Sequence, residues 1–112
     1  MAEKRVLYSE QRPYLVADSL DELVGPTVGL VELPLRLDWS EQGTYNLDEP
    51  CELNLMYEVV LSEAMDVQDL RRYLNGPMLP VVWRRLFLPQ RVRELWEVRF
   101  PELADAVGFL GL

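Results

Sequence analysis

The residues whose types could carry chemistry fall into four groups. Asp18, Asp21 and Glu22 stand close together, as do Asp48, Glu49 and Glu52, and clustered carboxylates suit a divalent cation or an acid–base pair. Neither cluster has the alternating spacing and central glycine of a calcium loop. Both stand where helical patterns begin, and there acids satisfy unpaired amides and complement the helix dipole. Capping accounts for them, and no metal is expected. Cys51 also falls at a helix start, which can lower a thiol pKa, but the chain has no histidine to activate a nucleophile; packing is its expected role. Gly25-Pro26-Thr27-Val28-Gly29 lacks both the Lys-Ser/Thr ending and the following helix of a phosphate loop, so it reads as a turn. The fourth group mixes guanidinium and aromatic side chains: Arg71, Arg72, Tyr73, Trp83, Arg84, Arg85, Arg91, Arg93, Trp96 and Arg99. Such mixtures are enriched at protein contacts and in nucleic-acid sites. No acid, base and substrate cradle converge in the pattern, so an enzyme is not expected, and neither is a cofactor.

The charge layout bears on which partner the fourth group meets. The chain carries 11 basic and 19 acidic residues, a formal charge of −8, which opposes a main role in holding phosphates. Residues 1–65 hold 13 acids and 4 bases, whereas 66–112 hold 6 acids and 7 bases. Within 71–99 seven arginines face only Glu94 and Glu97. The simplest account is pairing of these arginines with acids of the other half. Nucleic-acid contact through the arginine-rich helices stays open as the alternative, although Glu94 and Glu97 interrupt the helix that would have to enter a groove.

At 112 residues, 49% of them hydrophobic, the chain suffices for one core and a single domain, 1–112. A lone cysteine gives no internal disulfide, the N-terminus shows no signal-peptide pattern, and no apolar run approaches the length of a membrane span. A cytoplasmic protein without membrane contact is expected. The absence of Ile and the ratio of one Lys to ten Arg fit a genome rich in G and C.

The elements that must position these groups follow from local patterns. Ser19-Leu20-Asp21-Glu22 has capping-box spacing, and Gly25-Pro26 stops the helix it would start. Val31, Leu33, Leu35, Leu37 and Trp39 alternate with polar residues and Pro34, predicting a half-buried strand over 28–39 that lies at a sheet edge or pairs on one side only around Pro34, which cannot donate to a ladder. Ser40-Glu41-Gln42-Gly43 turns the chain into a return strand over 44–47, and segment 5–8 is a candidate third strand. Asp48 is the expected N-cap of an amphipathic helix over 49–65, with Leu53, Met56, Tyr57, Val60, Leu61 and Ala64 buried and Glu52, Asn54, Glu58 and Glu63 toward solvent. Asp66 caps a shorter helix that Asn75-Gly76-Pro77 ends, through a left-handed cap. Pro80, Pro89 and Pro101 predict brief helices over 80–87, 89–99 and 101–110. Trp83, Leu86, Phe87, Val92, Leu95, Trp96 and Phe100 step at helical intervals and read as core. The fold class is therefore α+β: a small antiparallel sheet, a hairpin near 28–47, packed on one longer helix, 49–65, and several short C-terminal helices.

Leu7-Tyr8-Ser9-Glu10-Gln11-Arg12-Pro13-Tyr14-Leu15, Leu20-Asp21-Glu22-Leu23-Val24-Gly25-Pro26, Val31 to Trp39, Tyr45-Asn46-Leu47-Asp48 and Arg85 to Leu103 together resemble a family of small actinobacterial proteins labelled transcriptional regulators. That family is associated with nucleotidyltransferase-fold toxins of the abortive-infection type. The resemblance spans about 7–103, rests on structural motifs and carries no site residue across. It implies an antitoxin or regulatory role.

An acidic half on a packed domain agrees with that implication, because it can cover the basic nucleotide or RNA site of a partner enzyme. The residues expected to bind the partner are Glu32, Asp38 and Glu41 on the solvent face and tip of the hairpin, Glu58 and Glu63 on the long helix, and Arg84 and Arg85 as a second surface. The competing readings are a transcriptional regulator, in a homodimer, that places the arginine-rich helices on DNA, and a structural assembly subunit with an open strand edge near Pro34.

Overall fold

The computed structural model of the chain describes residues 14–38 and 42–104. Candidate strand 5–8, Trp39 to Glu41 and the end of the last predicted helix lie outside them. Among the described residues the architecture is α+β: a two-stranded antiparallel hairpin, β1 (Leu30–Glu32) and β2 (Thr44–Asn46), set against four α-helices. These are α1 (Pro50–Glu63), α2 (Val67–Tyr73), α3 (Met78–Val82) and α4 (Gln90–Arg99). A 3-10 turn, Leu20–Glu22, precedes the hairpin, a second, Trp83–Arg85, extends α3, and a helical turn opens at 101–104.

The longest helix is built as its spacing requires. Leu53, Met56, Tyr57, Val60 and Leu61 are all buried, one face of α1 turned into the core. Pro50 occupies the first turn, where its missing N–H leaves nothing unpaired. Two details differ from expectation. Glu49, not Asp48, is the N-cap and makes no side-chain cap bond; Asp48 instead accepts the Gly29 N–H at 3.2 Å, while Glu52 accepts the Asn46 N–H at 2.7 Å. The acids at the start of α1 therefore grip the hairpin, and Glu52, Asn54, Glu58 and Glu63 are half-buried rather than solvent-facing.

The predicted strand over 28–39 is corrected. β1 ends at Glu32, and the N–H groups of Leu37 and Asp38 both return to the Pro34 carbonyl, at 2.9 and 3.1 Å. This turn moves Leu35 outward, to 75% exposure, and folds Leu37 and Asp38 inward. The alternation continues in sequence, but the turn over 34–38 breaks the pleat that would have kept one face inside.

Two ties hold the hairpin and the first turn to the helices. Arg36 clasps Asp69 with both guanidinium nitrogens, at 2.9 and 2.7 Å. Segment 20–25 is laced to 71–76: Glu22 pairs with Arg71, Val24 bridges Asn75, Gly25 N–H donates to Leu74 O at 2.7 Å and Gly76 N–H to Leu23 O at 2.9 Å. The approach is so close that a Cβ on Gly76 would lie 2.1 Å from the Leu20 carbonyl oxygen. Asp66 caps α2 as expected, accepting from Gln68 and Asp69 N–H. The helix does not end in a left-handed cap, because the extended Leu74 leads straight into the Asn75 bridge.

The C-terminal helices close the core around two tryptophans. Trp83 and Trp96 are fully buried with centroids 6.3 Å apart, and Phe100 follows at 5.7 Å from Trp96. The Trp83 indole N–H donates to Glu97 at 2.8 Å, and Arg93 lies over its ring while donating to Leu86 O at 2.6 Å. Pro80 falls within α3 rather than starting it, since Pro77 is the N-cap; in that first turn its missing N–H still costs no hydrogen bond.

Candidate protein-binding surface

The side chain furthest from expectation is Phe87. Its spacing from Trp83 places it in the core only if helix continues, but the 3-10 turn stops at Arg85 and Leu86 is extended, with φ −80° and ψ 140°. Pro89 enforces that exit by barring Leu88 from helical geometry. Phe87 consequently lies outside the core at 87% exposure. Its backbone is fixed nonetheless, because Phe87 N–H donates to Glu58 Oε2 on α1 at 2.9 Å.

Phe87 borders a groove of about 350 Å³ whose other walls are Leu37, Asp38, Glu58, Val59, Ser62 and Glu63. Three of the expected partner-binding residues, Asp38, Glu58 and Glu63, thus meet in one place through two elements. Residues Glu58, Val59, Ser62 and Glu63 recur at one, three and four positions along α1 and so share a face. The inward turn at Pro34 supplies Leu37 and Asp38.

The remaining assignments separate. Asp38 is corrected from solvent-facing to buried: it is 4% exposed and accepts the Tyr45 hydroxyl at 2.5 Å. Glu32 is exposed but lines a different groove of about 770 Å³, beside Arg36, Leu35 and Arg72. Glu41 lies outside the described residues. Arg84 and Arg85 are exposed on the 3-10 turn just before Phe87.

Pairing between halves absorbs part of the arginine excess. Arg71 meets Glu22 at 2.7 Å and Arg99 approaches Asp18 at 3.9 Å, whereas Arg93 pairs within its own helix with Glu97. Among the described residues no ion pair reaches Arg72, Arg84, Arg85 or Arg91. The surface around Phe87 therefore carries an aromatic knob, an acidic groove on one side and, on the 3-10 turn that precedes it, two guanidinium groups without an ion pair among the described residues. Exposed aromatics and arginines of this kind anchor protein contacts.

Cys51 is exposed at the start of α1 rather than packed. Among the described residues no group of three His, Cys, Asp or Glu side chains could hold a metal ion, and no helix is long and apolar enough to cross a membrane. No protein-family model, curated protein or solved structure matches the chain. The class of protein is accordingly set by architecture alone, a small α+β domain with an exposed aromatic and charged surface.

Proposed function

We propose that the chain is a non-enzymatic protein-binding module, an antitoxin that neutralises a partner enzyme by covering its basic nucleotide or RNA site. The partner class, a nucleotidyltransferase-fold toxin, is the one the sequence resemblance implies. The observation that carries the reading is Phe87, held in place by Glu58 yet 87% exposed beside an acidic groove. A buried phenylalanine side chain contributes roughly 1.5–3 kcal/mol that an exposed one forgoes. A partner that covers the ring recovers that energy, and complementary charge raises association rate and specificity.

The test is retention of a basic enzyme by the full chain, compared with Phe87→Ala. The reading expects the enzyme to be held by the first, released by the second, and inhibited in nucleotidyl transfer when bound. Equal retention by both proteins, or retention of DNA with a steep salt dependence in place of an enzyme, contradicts it.

A further inference from the structure

We infer that the outer face of α4 is a dimerisation surface, on which a second copy of the chain lays its own α4 in parallel about a twofold axis. Among the described residues this face shares none with the groove beside Phe87, so self-association here does not depend on what Phe87 binds. α4 turns Val92 and Trp96 into the core. Its other side carries Val98, 81% exposed, next to half-buried Leu95, and these two with Val16 form the apolar part of a groove of about 520 Å³. Arg91, Glu94 and Arg99, all exposed, frame it.

The charges select the occupant and its direction. Two copies of a chain that carries −8 repel one another in general, but this groove has two arginines against one glutamate. At 3.6 residues per turn, Glu94 and Arg99 fall on opposite flanks of the Leu95–Val98 seam. A parallel twofold pair sets each flank of one helix against the opposite flank of the other, so Glu94 of each copy meets Arg99 of the second copy. Helical side chains lean toward the N-terminus, which carries Arg99 back toward the level of Glu94. An antiparallel pair would set like flanks together, glutamate beside glutamate and arginine beside arginine. Flanking charges of this kind fix partner and orientation in paired helices. The interface is the same patch on both copies, and Val98 of each enters the groove between Val16 and Leu95 of the other.

The contacts these charges already make leave them able to pair. Gln90 occupies only Oε2 of Glu94, at 3.1 Å, and Arg99 stands 3.9 Å from an exposed Asp18; exposed contacts of this sort contribute little. The Arg91 side chains come together at the N-terminal end of the seam, where their long stems let the charges turn out into water. So short a seam makes a transient dimer, not an obligate one.

The experiment is sedimentation equilibrium of the full chain at concentrations up to about 1 mM, repeated on variants whose circular dichroism matches it. A reversible equilibrium between monomer and dimer is expected. Glu94→Arg alone, or Arg99→Glu alone, sets like charges on facing flanks and should weaken the dimer about tenfold or more. The double variant carrying both changes restores opposite charges and should regain the original affinity, as should an equimolar mixture of the two single variants. Val98→Glu puts a charge into the seam while leaving the flanks intact and should give a monomer. A monomer at every concentration overturns the inference. So does a dimer that either single charge change or Val98→Glu leaves intact, or one that the double variant fails to restore.

Discussion

Glu58 on α1 accepts the backbone N–H of Phe87 at 2.9 Å across 29 residues of sequence. One carboxylate thereby fixes where the exposed ring stands and forms part of the acidic rim beside it. The ring makes little contact with the core, so its value to the fold and its value to a complex separate cleanly.

That separation gives the first expectation. Phe87→Ala should change unfolding free energy by no more than about 0.5 kcal/mol, as for other surface substitutions. It should weaken the complex by about 2 kcal/mol or more, the scale of an aromatic anchor. Urea unfolding and calorimetric titration against the purified partner measure the two. A large stability loss would mean the ring is packed after all.

Acid should unfold the protein through its clasped carboxylates. The Arg36 guanidinium holds Asp69 below the usual carboxylate range, against its burial and with help from the Met65 N–H. The Arg71 hydrogen bond does the same for Glu22, with further help from the Asp18 N–H. A carboxyl whose pKa is depressed by folding stabilises the native state above its unfolded value, about 4, and that stability is lost as pH falls through the folded value. Asp69→Asn should be less stable at neutral pH by about 1–3 kcal/mol and should show a flatter acid limb. An unchanged limb by circular dichroism removes Asp69 from the account.

Tyr57 sets the alkaline limit. Burial pushes its hydroxyl up to about 12, opposed by the Asn75 N–H that it accepts at 3.0 Å. The unfolded chain loses this proton near pH 10, so the native state holds it more tightly and stability falls as pH rises from about 10 toward 12. Tyr57→Phe should flatten that fall, at the expense of about 1–2 kcal/mol at neutral pH for the unpaired Asn75 N–H. Melting temperature followed against pH for both proteins distinguishes the outcomes.

Gly76 tests the lacing of segment 20–25 to the end of α2. A Cβ there collides with backbone, the Leu20 carbonyl, rather than with a side chain that could turn away. Gly76→Ala should destabilise by more than about 2 kcal/mol, through strain of the kind found on overpacking. Half-buried Gly29, with φ +86° and open space where a Cβ would stand, should tolerate Asn far better. Equal effects of the two substitutions contradict the close approach.

What was legible in the sequence is what local rules decide. The Ser19–Glu22 box, the buried stripe from Leu53 to Leu61, the Asp66 cap and the return strand at Thr44 depend on neighbours within about four residues. The site was less legible because tertiary geometry decides it. Alternation through Leu37 reads as one strand until Pro34 turns the chain, and that turn is what buries Asp38. Helical spacing reads Phe87 as core until the 3-10 turn and Pro89 end the helix before it. The second feature had a visible signal, since Leu88-Pro89 requires an extended residue close behind Phe87. The gripping of the hairpin by Asp48 and Glu52 had none, because an acid that caps its own helix and one that reaches across to another element have the same local sequence.

The central claim, a binding module anchored at Phe87, is tested most directly by passing a lysate of the organism that makes the protein over two columns, one bearing the full chain and one bearing Phe87→Ala, at moderate salt. The account predicts one basic enzyme that stays on the first column, washes from the second and loses nucleotidyl transfer when the chain is added back. An enzyme held equally by both columns, or DNA retained with no enzyme, contradicts it.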